Sequence, residues 1–244
     1  MNTPKVCLTA LAAVVCTGYS TLAATYNGNG NTSFGGGVGL SSLLLTDDGT
    51  TVSGALTTTA PLYGNALVLY VQSGAGGIGS TAVLNDNADQ LRTAISEISG
   101  PGSQSILIFS SGFAPNYAIA LAPGGGVNFG GVWQLASGSL PYEGSAYLSP
   151  TGGDNAGVYD FSFSLSQIGL TPGAGQSFDF LGLEVSTSGY SSAETIGGTV
   201  NGLNGYNGTQ TETSFATYTA VPESANLALV AGGIAALAGI RRRN

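Results

Sequence analysis

Glycine punctuation constrains this chain more than any other feature. Forty glycines break the apolar residues into short runs, yet hydrophobic residues still make up 43% of the sequence. That supply is too rich for a disordered polymer. Runs of Thr, Ser, Val, Tyr and Phe between Gly and Asn-Gly clusters favour many short strands joined by tight turns. The clearest run is Val158 to Leu165, where Tyr159, Phe161, Phe163 and Leu165 alternate with Asp160, Ser162 and Ser164. Such a period of two describes a strand with one dry and one wet face. The expected fold is all-β, a single jelly-roll-like β-sandwich with one short helix.

Strands are expected at Ser42 to Leu45, Thr51 to Thr57, Ala66 to Gln72, Ser105 to Phe109, Tyr117 to Leu121, Gly131 to Leu135, Val158 to Leu165, Phe178 to Val185 and Ser214 to Thr219. In the run from Phe178, the pair Phe178 and Phe180 has one parity and Leu181, Leu183 and Val185 the other. This predicts a one-residue bulge near Leu181 or Gly182. Leu91, Ala94, Ile95 and Ile98 recur at helical spacing, with Asn87 and Gln90 as a capping pair. The helix they predict, Asn87 to Ile98, is placed as a lid over one end of the sandwich. Three Asn-Gly pairs, at residues 201, 204 and 207, recur too closely for intervening strands and mark a loop of left-handed turns.

Both ends of the chain differ from this pattern. Lys5 precedes an apolar stretch from Val6 to Cys16, a more polar piece, and then the small residues Ala23 and Ala24, the layout of a signal peptide. Cleavage is expected between Ala23 and Ala24 or one residue later. Val15 stands where a lipoprotein cut before Cys16 would need a small residue. At the far end, Val221-Pro222-Glu223-Ser224 leads into an apolar run from Ala225 to Ile240 and then Arg241-Arg242-Arg243. Sixteen residues, polar only at Asn226, make a short span for a hydrocarbon core of about 30 Å, and the arginines hold the C-terminus on the cytoplasmic side. The expected organisation is a signal peptide at 1–23, an extracellular domain at 24–220 and a sorting segment at 221–244.

The two ends together resemble the PEP-CTERM family of bacterial surface proteins, whose tails join a Pro-Glu-Pro motif, a membrane helix and a terminal arginine cluster. Ser224 stands at the third position of that motif. The resemblance implies cleavage near Pro222-Glu223 by an exosortase, a membrane enzyme, after signal peptidase has removed the leader. It further implies passage from the inner membrane to the cell surface or extracellular matrix, in bacteria that make exopolysaccharide. An ordinary single-span anchor shares the same layout. Residues 40 to 200 also resemble domains of PEP-CTERM proteins that are similar to the β-sandwiches of family 9 carbohydrate-binding modules. The carriers are Ala66-Leu67-Val68-Leu69-Tyr70-Val71 with Gly76-Gly77, the segment from Gly112 to Ile119, and Phe161 to Leu165 leading to Leu170. The tryptophan pair of those modules is absent, because Trp133 is the only tryptophan.

The chemistry available to the mature domain is narrow. Both cysteines, Cys7 and Cys16, lie in the leader, and the chain has no histidine. This excludes Ser-His-Asp and Cys-His catalysis, and with no lysine after Lys5 it excludes a Schiff base as well. From residue 24 to 222, twelve carboxylates face a single base, Arg92, for a net charge of −11, which repels nucleic acid. A two-carboxylate glycosidase is the main enzyme class left, with Asp160, Asp179 and Glu184 as its candidates, although strand alternation places them on solvated faces. Gly74, Gly76 and Gly79 match a dinucleotide fingerprint in spacing, but about eight residues separate them from the predicted helix, and a glycine-rich turn accounts for them. Asp47, Asp48 and Asp86 are candidate calcium ligands, with Asp47-Asp48-Gly49 equally readable as a hairpin turn. Tyr63, Tyr142 and Tyr190 are candidate sugar-stacking rings. The function expected is non-enzymatic, structural or adhesive in association with exopolysaccharide, with carbohydrate binding as the alternative.

Overall fold

In a computed structural model, which describes residues 23–62, 64–122, 129–150, 157–173 and 175–220, short strands account for most of the regular structure. The first half contributes β1 (Ala24–Asn27), β2 (Ser42–Asp47), β3 (Thr51–Thr57), β4 (Ala66–Gln72), α1 (Gln90–Ser96), β5 (Ile98–Gly100), β6 (Ser103–Gln104), β7 (Ile106–Ile108) and β8 (Tyr117–Ala122). The second half contributes β9 (Phe129–Gln134), β10 (Tyr142–Ser145), β11 (Tyr147–Pro150), β12 (Val158–Ser164), β13 (Ser177–Val185), β14 (Ser191–Ile196), β15 (Thr199–Gly202), β16 (Thr209–Ser214) and β17 (Ala216–Thr219). The chain is therefore mostly β, with one short α-helix.

One antiparallel sheet has the order β1-β2-β3-β12-β11. A larger antiparallel sheet runs β10-β9-β8-β4-β13, and the far edge of β13 is shared by β17 along Ser177–Phe180 and by β14 along Gly182–Val185. The two sheets face each other across one core. Leu43, Leu45, Val52, Leu56, Tyr159, Phe161 and Phe163 come from the first sheet, while Leu67, Leu69, Val71, Ile119, Leu121, Phe178 and Phe180 come from the second. Smaller pairings, β15-β16-β7 and β5-β6, lie apart from these sheets.

The larger sheet is buried on its other face as well. Ala66, Val68 and Tyr70 of β4, Ala118, Ala120 and Ala122 of β8, and Leu181, Leu183 and Val185 of β13 pack under Leu91, Ala94 and Ile95 of α1 and under Leu84, Leu107, Phe109 and Phe113. Three alanines in a row on β8 leave room for the helix. This second core explains why Ala66–Val71 reads as an unbroken apolar run, since a strand dry on both faces has no polar side to alternate with.

It also corrects two sequence expectations. The change of parity along β13 is not a bulge at Leu181: the pairing with β4 runs without a slip from Asp179 opposite Gln72 to Val185 opposite Ala66. Phe178 and Phe180 point into the first core, and Leu181, Leu183 and Val185 into the second. A register shift does occur further along, against β14 between Leu183 and Val185. The helix covers a sheet face rather than one end, and it is shorter than expected. Asp89, not Asn87, caps it by accepting a bond from the Arg92 amide at 2.9 Å, and Glu97 ends it in the left-handed region at φ 55°.

Several boundaries move for local reasons. Leu165 leaves β12 to begin a 3-10 turn, Leu165–Ile168, braced by Gln167 against Ser164. The expected strand at Ser214 to Thr219 divides at Phe215, because β16 belongs to the small sheet and β17 to the large one. Asn201-Gly202 ends β15, and the other two Asn-Gly pairs form the β15–β16 connection, with left-handed residues at Gly205 and Asn207. β4 is antiparallel to both neighbours, so the Gly74-Gly76-Gly79 segment has no βαβ unit around it. Among the described residues no helix is long and apolar enough to cross a membrane; the expected span at 225–240 lies outside them.

Gly54, opposite Phe161 on the neighbouring strand β12, is required by packing. A methyl at Gly54 would overlap the Phe161 ring, which sits in the first core. Gly54→Ala is expected to destabilise the fold by about 1–3 kcal/mol through overpacking, read as a lowered urea midpoint with an unchanged slope. A midpoint equal to that of the parent would show that the ring has space to move.

Candidate functional site

β13 ends in a problem. Glu184 has the parity of Phe180 and so points inward, at a strand end where segment 34–39 rather than the smaller sheet covers it. Its neighbour on β14, Glu194, is equally buried. Two unpaired carboxylates in such a place would be prohibitive. They are instead hydrogen-bonded to each other, and burial, followed by the adjoining Glu194, pushes the Glu184 carboxyl up to about 9. Burial also opposes charge on Glu194, but the proton of Glu184 and the backbone amides of Gly39, Gly36 and Phe34 outweigh it and hold that group below the ordinary range. The pair thus holds one proton and one negative charge.

That charge organises the backbone above it. Glu194 Oε1 accepts from the amides of Phe34 at 2.6 Å and Gly36 at 3.0 Å, and Oε2 from Val38 at 3.1 Å and Gly39 at 3.0 Å. Glu184 Oε2 accepts from Val38 at 3.2 Å, and its Oε1 from the Asn65 amide group at 2.9 Å. Short glycine-rich segments can turn their amides toward one anion in this way. The preceding residues are zipped along β14: Asn29 bonds the carbonyls of Thr195 and Ala193, and the Ala193 amide donates to Ser33 Oγ.

Pinning 34–39 fixes Phe34 at the surface. Its ring lies 5.4 Å from that of Tyr190, which in turn meets Tyr206 edge-on at 4.3 Å. Tyr206 is 51% exposed, with its hydroxyl 3.2 Å from Ser188 Oγ, and Leu203 on the same loop is 75% exposed. Gly205 holds the loop in place through its amide bond to the Ser191 carbonyl and the bond it accepts from Ser105 Oγ. Three loops therefore bring three rings into one surface cluster.

The residues singled out from sequence are placed as follows. Tyr190 is in this cluster. Tyr142 is exposed in another, tilted against buried Trp133 at 5.6 Å, with Arg92 over the indole at 5.9 Å. Arg92 is ion-paired with Asp86 and Asp89. Asp86 also accepts from the amides of Ala88 and Leu140, both at 3.1 Å. Asp47 is buried and accepts from Tyr218 and the Gly49 amide, and Asp48 accepts from the amides of Thr51 and Thr50, which lower its pKa. Asp47-Asp48-Gly49 is the β2–β3 turn, and among the described residues no three acidic, histidine or cysteine side chains come together as a metal would need.

Glu184 is a correction, since it is buried and not on a solvated face. Asp160 lies on the outward face of the smaller sheet and Asp179 on the face of the larger sheet opposite the first core, where Thr217 Oγ1 bonds it. The three therefore share no groove. Ala23 is exposed and Ala24 opens β1. Tyr63, Val221, Pro222, Glu223, Ser224, Arg241, Arg242 and Arg243 lie outside the described residues. Phe34, Glu194 and Tyr206 were not legible as site residues, although the Asn-Gly pairs beside Tyr206 marked its segment as a loop.

No protein-family model, curated protein or solved structure matches this chain.

Another buried glutamate, Glu97, is pushed up to about 8 by burial, and the Tyr70 hydroxyl lies 3.2 Å from its Oε1. Below about pH 4.5 the folded and unfolded chains both carry the Glu184 and Glu97 protons, and the stabilisation is complete. As the pH rises toward 8 and 9 only the folded chain retains them, so stability declines through that window. Thermal unfolding is expected to show a midpoint lower at pH 9 than at pH 5 by about 10 °C or more. Glu184→Gln, which keeps a donor for Glu194, should flatten the upper part of the decline. A midpoint that rises with pH over this range would rule out the shared proton.

Proposed function

We propose that residues 24–220 are an exported, non-enzymatic domain that serves a structural or adhesive role at the cell surface or in the extracellular matrix, in association with exopolysaccharide. The observation that carries this reading is that paired strands lie just inside both expected processing sites, so that neither cut would fall within a strand. β1 opens at Ala24, paired with Leu45, and β17 closes at Thr219, followed by buried Ala220. The first and last strands meet across the layers, with Tyr26 against Phe180 at 4.8 Å and its hydroxyl donating to the Thr217 carbonyl at 2.8 Å. Removal of 1–23 and of the tail beyond Glu223 then leaves these strands intact.

The fold is read as one β-sandwich, jelly-roll-like in that the chain crosses between the facing sheets at β3–β4, β10–β11 and β12–β13. Support for a non-enzymatic role comes from the carboxylates: Asp160 and Asp179 face away from each other, and Glu184 and Glu194 are sealed under 34–39. Support for adhesion comes from the outward face of the smaller sheet, where Leu44, Thr46, Ser53, Ala55, Asp160 and Ser162 line a shallow depression of about 350 Å³. The alternative, a carbohydrate-binding module, is favoured by the Phe34–Tyr190–Tyr206 cluster.

Mass spectrometry of the surface-associated protein from its native host tests the reading. The mature form is expected to begin at Ala24 or Thr25 and to lack the residues after Glu223. An intact Arg243-Asn244 end would reduce the tail to a plain anchor. Replacing Arg241, Arg242 and Arg243 together by Ala should strand or misorient the precursor at the membrane, and normal display of that variant would count against sorting.

A further inference from the structure

We propose that Phe34, Tyr190 and Tyr206 form an aromatic platform for an uncharged glycan, with the exposed Tyr206 ring standing edge-on to half-buried Tyr190 and Phe34 tilted beside it; this rests on the reading of the domain as an exported adhesive protein and gives that adhesion a site. The first argument is charge. Residues 24 to 222 carry a net −11, yet the segments that supply the rings, 28–36, 186–190 and 203–208, contain no charged residue at all. They consist of Gly, Asn, Ser, Thr, Leu and the three aromatics. An anionic polymer would be repelled by the whole domain, and a cationic ligand would find no carboxylate on these loops. A neutral polymer of hydroxyl groups meets no such mismatch.

The second argument is surface chemistry. Sugar rings present apolar C–H faces bordered by hydroxyls, and aromatic rings with a polar tip suit such two-sided ligands. The Tyr206 ring is half in water, and Ser188, Asn204 and Asn207 lie on the same loops as donors and acceptors. Three aromatic side chains, at about 150–250 Å² each even if wholly exposed, offer less than the roughly 800 Å² per partner of a stable protein interface, so a glycan is favoured over a protein. The third argument is rigidity. Phe34 is held by a buried charge through its own amide, and Gly205 by bonds to Ser191 and Ser105, so little ordering remains to be done on binding.

Affinity electrophoresis of the full-length protein, kept soluble in a polyoxyethylene detergent, through gels containing xyloglucan, galactomannan, a β-1,3-glucan or alginate provides the test. Retardation is expected in at least one of the three neutral gels and not in alginate. Tyr206→Ala should weaken it by about tenfold or more, with an unchanged thermal midpoint showing that the variant folds. Tyr142→Ala, which removes an exposed ring from the other cluster, should leave it unchanged. Free passage through all three neutral gels would overturn the platform. Retention that survives Tyr206→Ala would overturn this site while leaving adhesion elsewhere on the domain. Self-association that is abolished by Tyr206→Ala, in the absence of neutral-gel retention, would assign the cluster to a protein partner and overturn the proposal. Failure of the export reading is seen separately, in the termini of the surface-associated protein.

Discussion

Burial of the larger sheet on both faces is the constraint from which the rest of this structure follows. β4 and the part of β13 from Phe180 onward have no wet side, so each must be covered twice: by the smaller sheet across the first core, and by α1 with the loops around Leu84 and Phe113 across the second. A polar side chain on such a strand has nowhere to go. Glu184 meets this condition near the end of β13, and its only acceptable state is a protonated one, hydrogen-bonded to a partner that takes the charge. The carboxyl pair is in that sense a product of the double burial.

The consequences extend to the surface. An anion shared by two carboxyls and enclosed by protein attracts the nearest donors, and the amides of Phe34, Gly36, Val38 and Gly39 provide them. Glycines at 35–37 and 39 let the backbone turn these amides to one point, with Gly35 and Gly36 at positive φ. The side chain carried outward by that turn is Phe34, whose ring meets Tyr190. A buried electrostatic requirement and a partly exposed aromatic cluster are thus two ends of one short segment.

Legibility from sequence followed local pattern. The strands Thr51–Thr57 and Ala66–Gln72 were readable to the residue, and Val158–Ser164 nearly so, because their β-branched and aromatic residues are bounded by glycine or turn signals. β14 was not, since Ser191-Ser192-Ala193-Glu194-Thr195-Ile196 carries one large apolar side chain, and its burial comes from Phe34-containing loop contacts and the edge of β13. β1, β5, β6, β10, β11 and β15 are four residues or fewer, too short for a period to declare itself. At the candidate site, Tyr190 could be picked as a ring flanked by polar residues. Glu194 and Phe34 could not, because nothing within ten residues of either announces a partner about 160 positions away.

Local order was within the reach of the amino-acid sequence alone: strand-length apolar runs, turn glycines, a helical repeat near Leu91, an almost base-free body without histidine or thiol, and distinctive ends. These depend on neighbours along the chain, where period and composition act directly. Tertiary structure alone decided which faces became dry. Parity along β13 could be explained equally by a bulge or by two cores, and only the arrival of a second layer selects between them. It likewise decided that Glu184 would be protonated, that Glu194 would carry the charge, and that Phe34, Tyr190 and Tyr206 would meet, since each outcome depends on desolvation and contact between segments far apart in sequence.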